Sequence, residues 1–528
     1  MKLHFADLTF TLIGASVALI AAGCLLGPDY HPPVTRVAPQ WQESANAAVD
    51  TSGEEYRDWW NLFNDPVLSR LIEIAYEQNL TLRSSGVRVL EARAQLGIAI
   101  GEVYPQQQQF TSSVSYLRIP TSNTPVLANT FWSDVFALQS TWEIDVWGKL
   151  RRGVESADDA FLASVANYDD VLVSLTGDVA ATYVQIRTTQ KQIAVARDNI
   201  EKQKLALKIA QARYVGGAAT KRDVYQATNV LGSTEATVPQ LTIQLEQSKN
   251  ALSVLLGMEP GHLNALLAGV SDIPKPPAKV AVGIPADLLR RRPDIRKAEL
   301  QAAAQCAQIG FAKADLLPTF SLVGSVGTLS TDVGTSTLSR VFSASTLAFT
   351  VGPAVQWDIL NYGQITNNVR VQDASFQGLL VDYQNTVLKA QQDVENGIAL
   401  FSQSRSEVEF LIKSVTAAQG ALRIAMLQYK EGTMDFTTVL LAEQNLYVAE
   451  NSLALAQGMV PLGVIATYRA MGGGWQIREG HDFVPAGTRE EMSKRTNWGQ
   501  LLTPQLLNPQ APGLPSPSDT GPLIRLPE

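Results

Sequence analysis

The chain has 528 residues, 45% of them hydrophobic and 17% charged, with a formal net charge of −8. A mildly acidic balance with no long basic stripe excludes an electrostatic nucleic-acid footprint, and two cysteines leave no room for a framework of disulfides. Length alone would allow roughly three or four domains, but the repeats below argue for one elongated, internally duplicated unit.

Lys2 precedes a short apolar run from Leu8 to Ala22 that ends in Ala21-Ala22-Gly23-Cys24. The run is short for a membrane span and suits a signal peptide, expected over residues 1–23. Its end resembles a bacterial lipobox, with Ala21 where Leu is usual. That resemblance implies a lipid-bearing Cys24 as mature N-terminus, and Leu25 after it favours the outer membrane. Residues 24–65 are an extended segment rich in Pro and Trp, including Gly27-Pro28-Asp29-Tyr30, Trp41, Trp59 and Trp60.

Helical periodicity starts at Pro66, with Asp65 as cap, and runs through Leu68, Leu71, Ile72 and Ala75. It continues past a break near Asn79 to about Tyr104. After Pro105 the period becomes two: Phe110, Val114 and Tyr116 alternate with polar residues, and Trp132 to Trp142 forms a second strand. Then Val165, Leu172, Val179, Ile186, Ile193, Ile200, Leu207 and Tyr214 recur every seventh residue. Such a repeat demands helices that supercoil along their whole length. A Gly216-Gly217 turn follows Tyr214, and a return helix carries Val224, Leu231, Val238, Leu245 and Leu252, with a kink expected at Pro239. This first repeat spans 66–270.

A Pro-rich linker, 271–285, leads into a second repeat, 286–474. Arg290-Arg291-Arg292 before Pro293 reads as a solvated helix start. Cys306, among alanines, reads as a small buried hydrophobe. Strands are expected again, from Phe320 to Val326 and from Leu347 to Trp357. The second heptad series runs from Leu380 to Tyr429, 215 residues behind the first, and turns at Gly432. The return helix carries Val439, Leu446, Leu453 and Val460. The neighbouring seam positions are mostly small or polar: Thr182, Thr189, Ala196 and Ala210, then Ala390, Gly397, Ser404 and Ala425. Periodicity alone fits a solid coiled coil or a hollow tube; small seams suit helices side by side around a lumen. The tail, 475–528, loses periodicity, and its Pro- and Gly-rich end from Asn508 is expected to be disordered.

Four strands with one apolar face match membrane β-strands in length, yet about eight is the practical minimum for a closed barrel. Open edges in lipid are too costly, so copies must join. The expected fold class is therefore an α+β membrane protein: long coiled-coil helices below strands shared between protomers. Trp132, Trp142, Trp357 and Tyr116 would form interfacial girdles.

These residues resemble the outer-membrane efflux protein family, the TolC-like channels, and within it the lipoprotein branch that includes OprM and NodT. The resemblance rests on the Cys24 lipobox, Gly27-Pro28-Asp29-Tyr30, Trp60 with Phe63-Asn64-Asp65-Pro66, Arg291-Arg292-Pro293-Asp294-Ile295, the two Tyr-x-x-Gly turns and Gly472-Gly473-Gly474-Trp475. It implies a homotrimer with a twelve-stranded barrel in the outer membrane and a helical tunnel across the periplasm. Its implied partners are a periplasmic adaptor and an inner-membrane pump of the RND type, and drugs or other toxic solutes would leave through it. It places Tyr214, Gly217, Tyr429 and Gly432 at the periplasmic tip. The acidic constriction of TolC-like channels falls on Thr438 and Leu441 here, which leaves Asp435 and Asp223 as candidates.

No nucleotide loop, GxSxG or HExxH spacing occurs, and the histidines are isolated. The chain is read as no enzyme, with no cofactor beyond lipid on Cys24. Two alternatives stand beside the efflux duct: a structural coiled-coil lipoprotein, for which membrane strands have no use, and an exit duct for type I protein secretion.

Overall fold

A computed structural model describes residues 25–503 except 45, 47–48, 52–55, 121–129, 268–271, 284, 286–290 and 334–340. Cys24, the signal segment and the end of the tail lie outside the described residues. In chain order the elements are β1 (Val49–Asp50), α1 (Pro66–Gln78), α2 (Leu80–Gly101), β2 (Gln107–Arg118), β3 (Thr130–Ile144), α3 (Lys149–Val215) and α4 (Lys221–Leu255). After the short α5 (Leu263–Leu266) come β4 (Val280–Ala281), α6 (Pro293–Ala314), β5 (Thr319–Thr331), β6 (Leu347–Gln356), α7 (Gln364–Glu431), α8 (Phe436–Ala470) and α9 (Ala486–Arg495). Two runs share one order: helix, strand pair, a helix of 67 or 68 residues, then a return helix of 35. At about 1.5 Å per residue each long helix is about 100 Å.

Asp65 caps α1 as read, its Oδ1 accepting from the Val67 and Leu68 amides at 2.9 and 3.2 Å. The break falls at Asn79, whose Oδ1 accepts from the Leu82 amide and whose Nδ2 donates to the Leu255 carbonyl. α4 runs through Pro239 without interruption, and α8 contains its own Pro461.

The described residues form two compact units. One comprises those of 1–34, 89–164 and 297–383; the other those of 35–88, 165–296 and 384–528. The first holds the four-stranded antiparallel sheet, ordered β2-β3-β5-β6. The second holds the helical hairpins, whose heptad residues are buried: Leu172, Val179, Ile186, Val394 and Phe401 are each fully enclosed. Gly397, from the seam, and Gly463, on the return helix, have a direct use there. A Cβ on Gly463 would lie 2.6 Å from the Phe401 backbone nitrogen, and one on Gly397 2.8 Å from that of Thr467. Small side chains let α8 approach α7 at backbone distance.

Two readings are corrected, those of Arg292 and of the segment before Asp65. Arg292 is not solvated: its guanidinium donates to Asp294 (2.6 and 2.9 Å), Asp393 (3.3 Å) and the Ala470 carbonyl (2.7 Å), closing the C-terminus of α8. The non-periodic tail is held as far as residue 503, where the buried Arg478 forms a paired contact with buried Asp169 (2.5 and 3.0 Å) and Phe483 packs edge-on to Tyr168; the stretch from Asn508 lies outside the described residues. The segment before Asp65 is not wholly extended, since Trp59–Phe63 make a 3-10 turn with Trp59 stacked on Tyr468.

Candidate functional site

In the sheet, pairing registers align Phe110 with Leu138, Leu138 with Val326, and Val326 with Phe349. All four side chains are exposed, at 64, 58, 47 and 76%. The next row, on the opposite face by the period of two, is Gln109, Gln139, Ser325 and Thr350. At this level of the sheet one face is therefore apolar and exposed, the other polar. Tyr116 packs on Trp132 at one end (5.2 Å between centroids), while Trp142 and Trp357 occupy the other, their indoles donating to the Val103 and Leu316 carbonyls. Trp132 and Trp142 are ten residues apart, about 34 Å along a strand, which a tilt near 40° reduces to the height of an outer-membrane apolar band. Among the described residues β2 and β6 each pair on one side only.

In the helical unit both tips are built alike. Gly217 (φ 71°) and Gly432 (φ 74°) hold left-handed positions. The Ala218 amide donates to the Arg213 carbonyl and that of Thr433 to the Gln428 carbonyl, so each helix ends in the same glycine-dependent closure. The tyrosines differ: Tyr214 is 44% exposed, whereas Tyr429 is 3% exposed and packs on Phe436 at 4.9 Å. Arg213 stacks on the Tyr429 ring (4.6 Å) and donates to the Tyr429 and Lys430 carbonyls. This cation–π clasp joins the two tips, and the sequence reading missed it because an Arg in a last helical turn looks like an ordinary dipole partner.

Asp435 is the N-cap of α8, its Oδ1 accepting from the Thr438 amide and hydroxyl (3.1 and 2.8 Å). Asp223 sits three residues into α4 and is buried, taking the Thr220 amide at 3.1 Å and hydroxyl at 2.9 Å. The two aspartates are thus not equivalent.

Higher on α8, Glu450 ties three helices. It accepts from Asn199 (2.6 Å) on α3 and Gln419 (3.1 Å) on α7, with Lys202 at 3.6 Å. Seven residues nearer the tip, Glu443 is 3% exposed, and burial pushes its carboxyl up to about 7. Neither was singled out from sequence; a carboxylate in heptad phase with Phe436 was the available signal. The sign of the pH effect follows. A carboxyl whose folded pKa lies above its unfolded value stabilises while protonated, and that stability is lost as pH rises from about 4.3 through 7. Glu443→Gln is expected to raise the thermal midpoint at pH 8 by a few degrees and leave it unchanged near pH 4.5, measured by circular dichroism.

Among the described residues no group of His, Cys, Asp and Glu could hold a metal ion. Cys306 is buried, as read.

The family model for outer membrane efflux proteins matches residues 71–258 and again 284–473. The chain belongs to the outer membrane efflux protein family. Nodulation protein T of Rhizobium leguminosarum bv. trifolii is 30% identical over 83% of this chain and 92% of its own length. The antibiotic efflux pump outer membrane protein ArpC of Pseudomonas putida is 28% identical over 90 and 97%. The solved structure of the outer-membrane channel OprN is 31% identical and covers 86% of this chain and all of its own, with a TM-score of 0.79. As a member of this efflux family the chain is an outer-membrane efflux channel with the TolC-like fold, its long helices forming the periplasmic part.

Proposed function

We propose that three copies of this chain form the exit duct of a tripartite efflux system, carrying drugs or other toxic solutes from a periplasmic adaptor and an inner-membrane pump of the RND type to the exterior. One observation carries this reading: the exposed apolar row Phe110–Leu138–Val326–Phe349 backed by a polar row, on a sheet whose two edge strands pair on one side only among the described residues. An apolar face with free edges is tolerable in lipid only when the sheet closes. Three chains of four strands make twelve, inside the range of natural barrels, with the polar row lining the lumen. The repeated element order and the two family matches support an internal duplication, with repeats at 66–270 and 286–474 joined by the 271–285 linker. The name of ArpC, an antibiotic efflux protein, supports the solute class.

Transport through the duct is passive in this reading, with no chemistry and no cofactor; energy comes from the pump. Cys24 carries the lipid that follows removal of residues 1–23, in the manner of the family's lipoprotein branch. Tyr214, Gly217, Tyr429 and Gly432 meet the adaptor, and Asp435, with Asp223 behind it, narrows the pore at the tip. In planar bilayers the purified protein conducts, and Asp435→Ala is expected to raise single-channel conductance severalfold. Unchanged conductance removes Asp435 from the constriction, and no conductance from wild type removes the duct.

A further inference from the structure

Within the sheet-bearing unit, residues 26–30 lie in a built seat that holds their inner side while the outer side stays open to solvent. The Leu26 amide donates to the Trp147 carbonyl at 3.2 Å. Trp147 follows β3, and its indole donates at 2.8 Å to the carbonyl of Pro318, the residue before β5. The seat therefore opens at the junction of the two central strands. Its hub is Arg152, 1% exposed, which donates through Nε to the Leu26 carbonyl (2.9 Å), through Nη2 to Asp29 (2.7 Å) and through Nη1 to Glu155 (2.7 Å). Its floor is a crossing of two glycines. Gly27, at φ 95°, would place a Cβ 2.5 Å from Gly310 Cα, and a Cβ on Gly310 would lie 2.4 Å from the Leu26 carbonyl oxygen. Beyond it the Cys306 thiol lies 3.6 Å from the Pro28 carbonyl, and Tyr30 meets Phe376 edge-on at 6.4 Å.

A guanidinium taken out of water is tolerated only with its donors engaged. Two of the three groups engaging Arg152 belong to the N-terminal segment, so the seat needs its occupant as much as the occupant needs the seat. Leu26 is two residues from Cys24, a tether of about 7 Å at full extension. A lipid carried there is held beside the strand ends and not on a loose leash.

We propose that Arg152 and the Gly27–Gly310 crossing form a receptor for the chain's own N-terminal segment, which fixes the lipid anchor at the periplasmic rim of the sheet so that acyl chains and strands enter the membrane in register. Arg152 is a positioning residue: it acts through the anchor. The proposal rests on Cys24 being the acylated residue.

The test compares Arg152→Gln and Gly310→Ala in two backgrounds, wild type and Cys24→Ala, in whole cells. Acylation is read from the mass of the N-terminal peptide, seating from the electron-spin-resonance mobility of a spin label at the half-buried position 33, and assembly from trimer in the outer-membrane fraction. In the acylated background each variant is expected to keep its lipid, release the label, and lower trimer at least about fivefold, as a loss of one or two kcal/mol would. In the Cys24→Ala background the same substitutions are expected to change trimer less than about twofold, because no anchor is left to place. An equal loss in both backgrounds makes Arg152 a plain element of the fold and overturns the proposal. So does a label that stays immobile in both variants. A wild-type peptide without acyl chains also overturns it, while conductance of the purified protein still decides the channel reading separately.

Discussion

Phe349→Arg is expected to reduce assembled protein in the outer membrane to below a tenth of wild type, whereas Ser325→Arg is expected to leave assembly within a factor of two and to shift ion selectivity toward anions. Phe349 ends the exposed apolar row that runs in register through Val326, Leu138 and Phe110. An arginine near the bilayer midplane on the lipid face costs roughly 2–4 kcal/mol, and each protomer bears that cost. Ser325 lies in the polar row with Gln109, Gln139 and Thr350, which in the proposed barrel faces the lumen, so that a charge there would meet water and add a fixed field along the conduction path. Heat-modifiable migration in gels reports assembly, and reversal potentials report selectivity. If the two variants assembled equally well, the faces would be misassigned.

The second large effect is expected at Gly463. A methyl there would meet the Phe401 backbone nitrogen at 2.6 Å and its Cα at 2.7 Å, and backbone inside a long helix cannot give way. Overpacking of this kind costs about 1–3 kcal/mol or more, so Gly463→Ala is expected to lower the thermal midpoint by several degrees and Gly463→Leu to abolish folded protein. Gly232 on α4 is the matched control: a Cβ there has open space within 4 Å. Gly232→Ala is expected to stabilise by about 0.5–1 kcal/mol through helix propensity. Similar losses at both glycines would mean that close approach of α8 to α7 is not what the small residue serves.

The strong periodicities were legible because they are imposed by burial. The seven-residue series located α3, α4, α7 and α8, and the alternation after Pro105 and Pro318 located all four long strands. The tips were legible too, since a left-handed closure needs glycine at 217 and 432. What escaped is held by single polar contacts. The 35–50 segment and the linker lie along one another through Val49–Val280 and Asp50–Ala281 pairing and the Trp41 indole on the Gly283 carbonyl. They are tied to α7 by Gln391, Glu395 and Arg405, which bond to backbone groups of Ala38, Gln42 and Ala278. Backbone-to-side-chain ties leave no period in the sequence. For the same reason Arg292 reads as one of three solvated arginines until Asp393 and the Ala470 carbonyl are brought to it, and Arg478 reads as tail until Asp169, 309 residues away, is buried against it.

The seams teach a narrower lesson. Thr189, Ala196 and Ala390 have the small side chains a hollow ring would favour, yet each is fully buried within one chain. Small size here permits close helix pairing inside the protomer, so seam composition by itself does not reveal a lumen. The case for a duct lies in the sheet, where an apolar row is exposed and, among the described residues, both edge strands pair on one side only.

Counting subunits tests that most directly. Native mass spectrometry of the detergent-extracted, acylated protein, with electron-microscopic images of the same particles, is predicted to give three chains surrounding a continuous water-filled bore. A stable single chain, or a complex whose long helices are packed solid down the axis, would contradict the account.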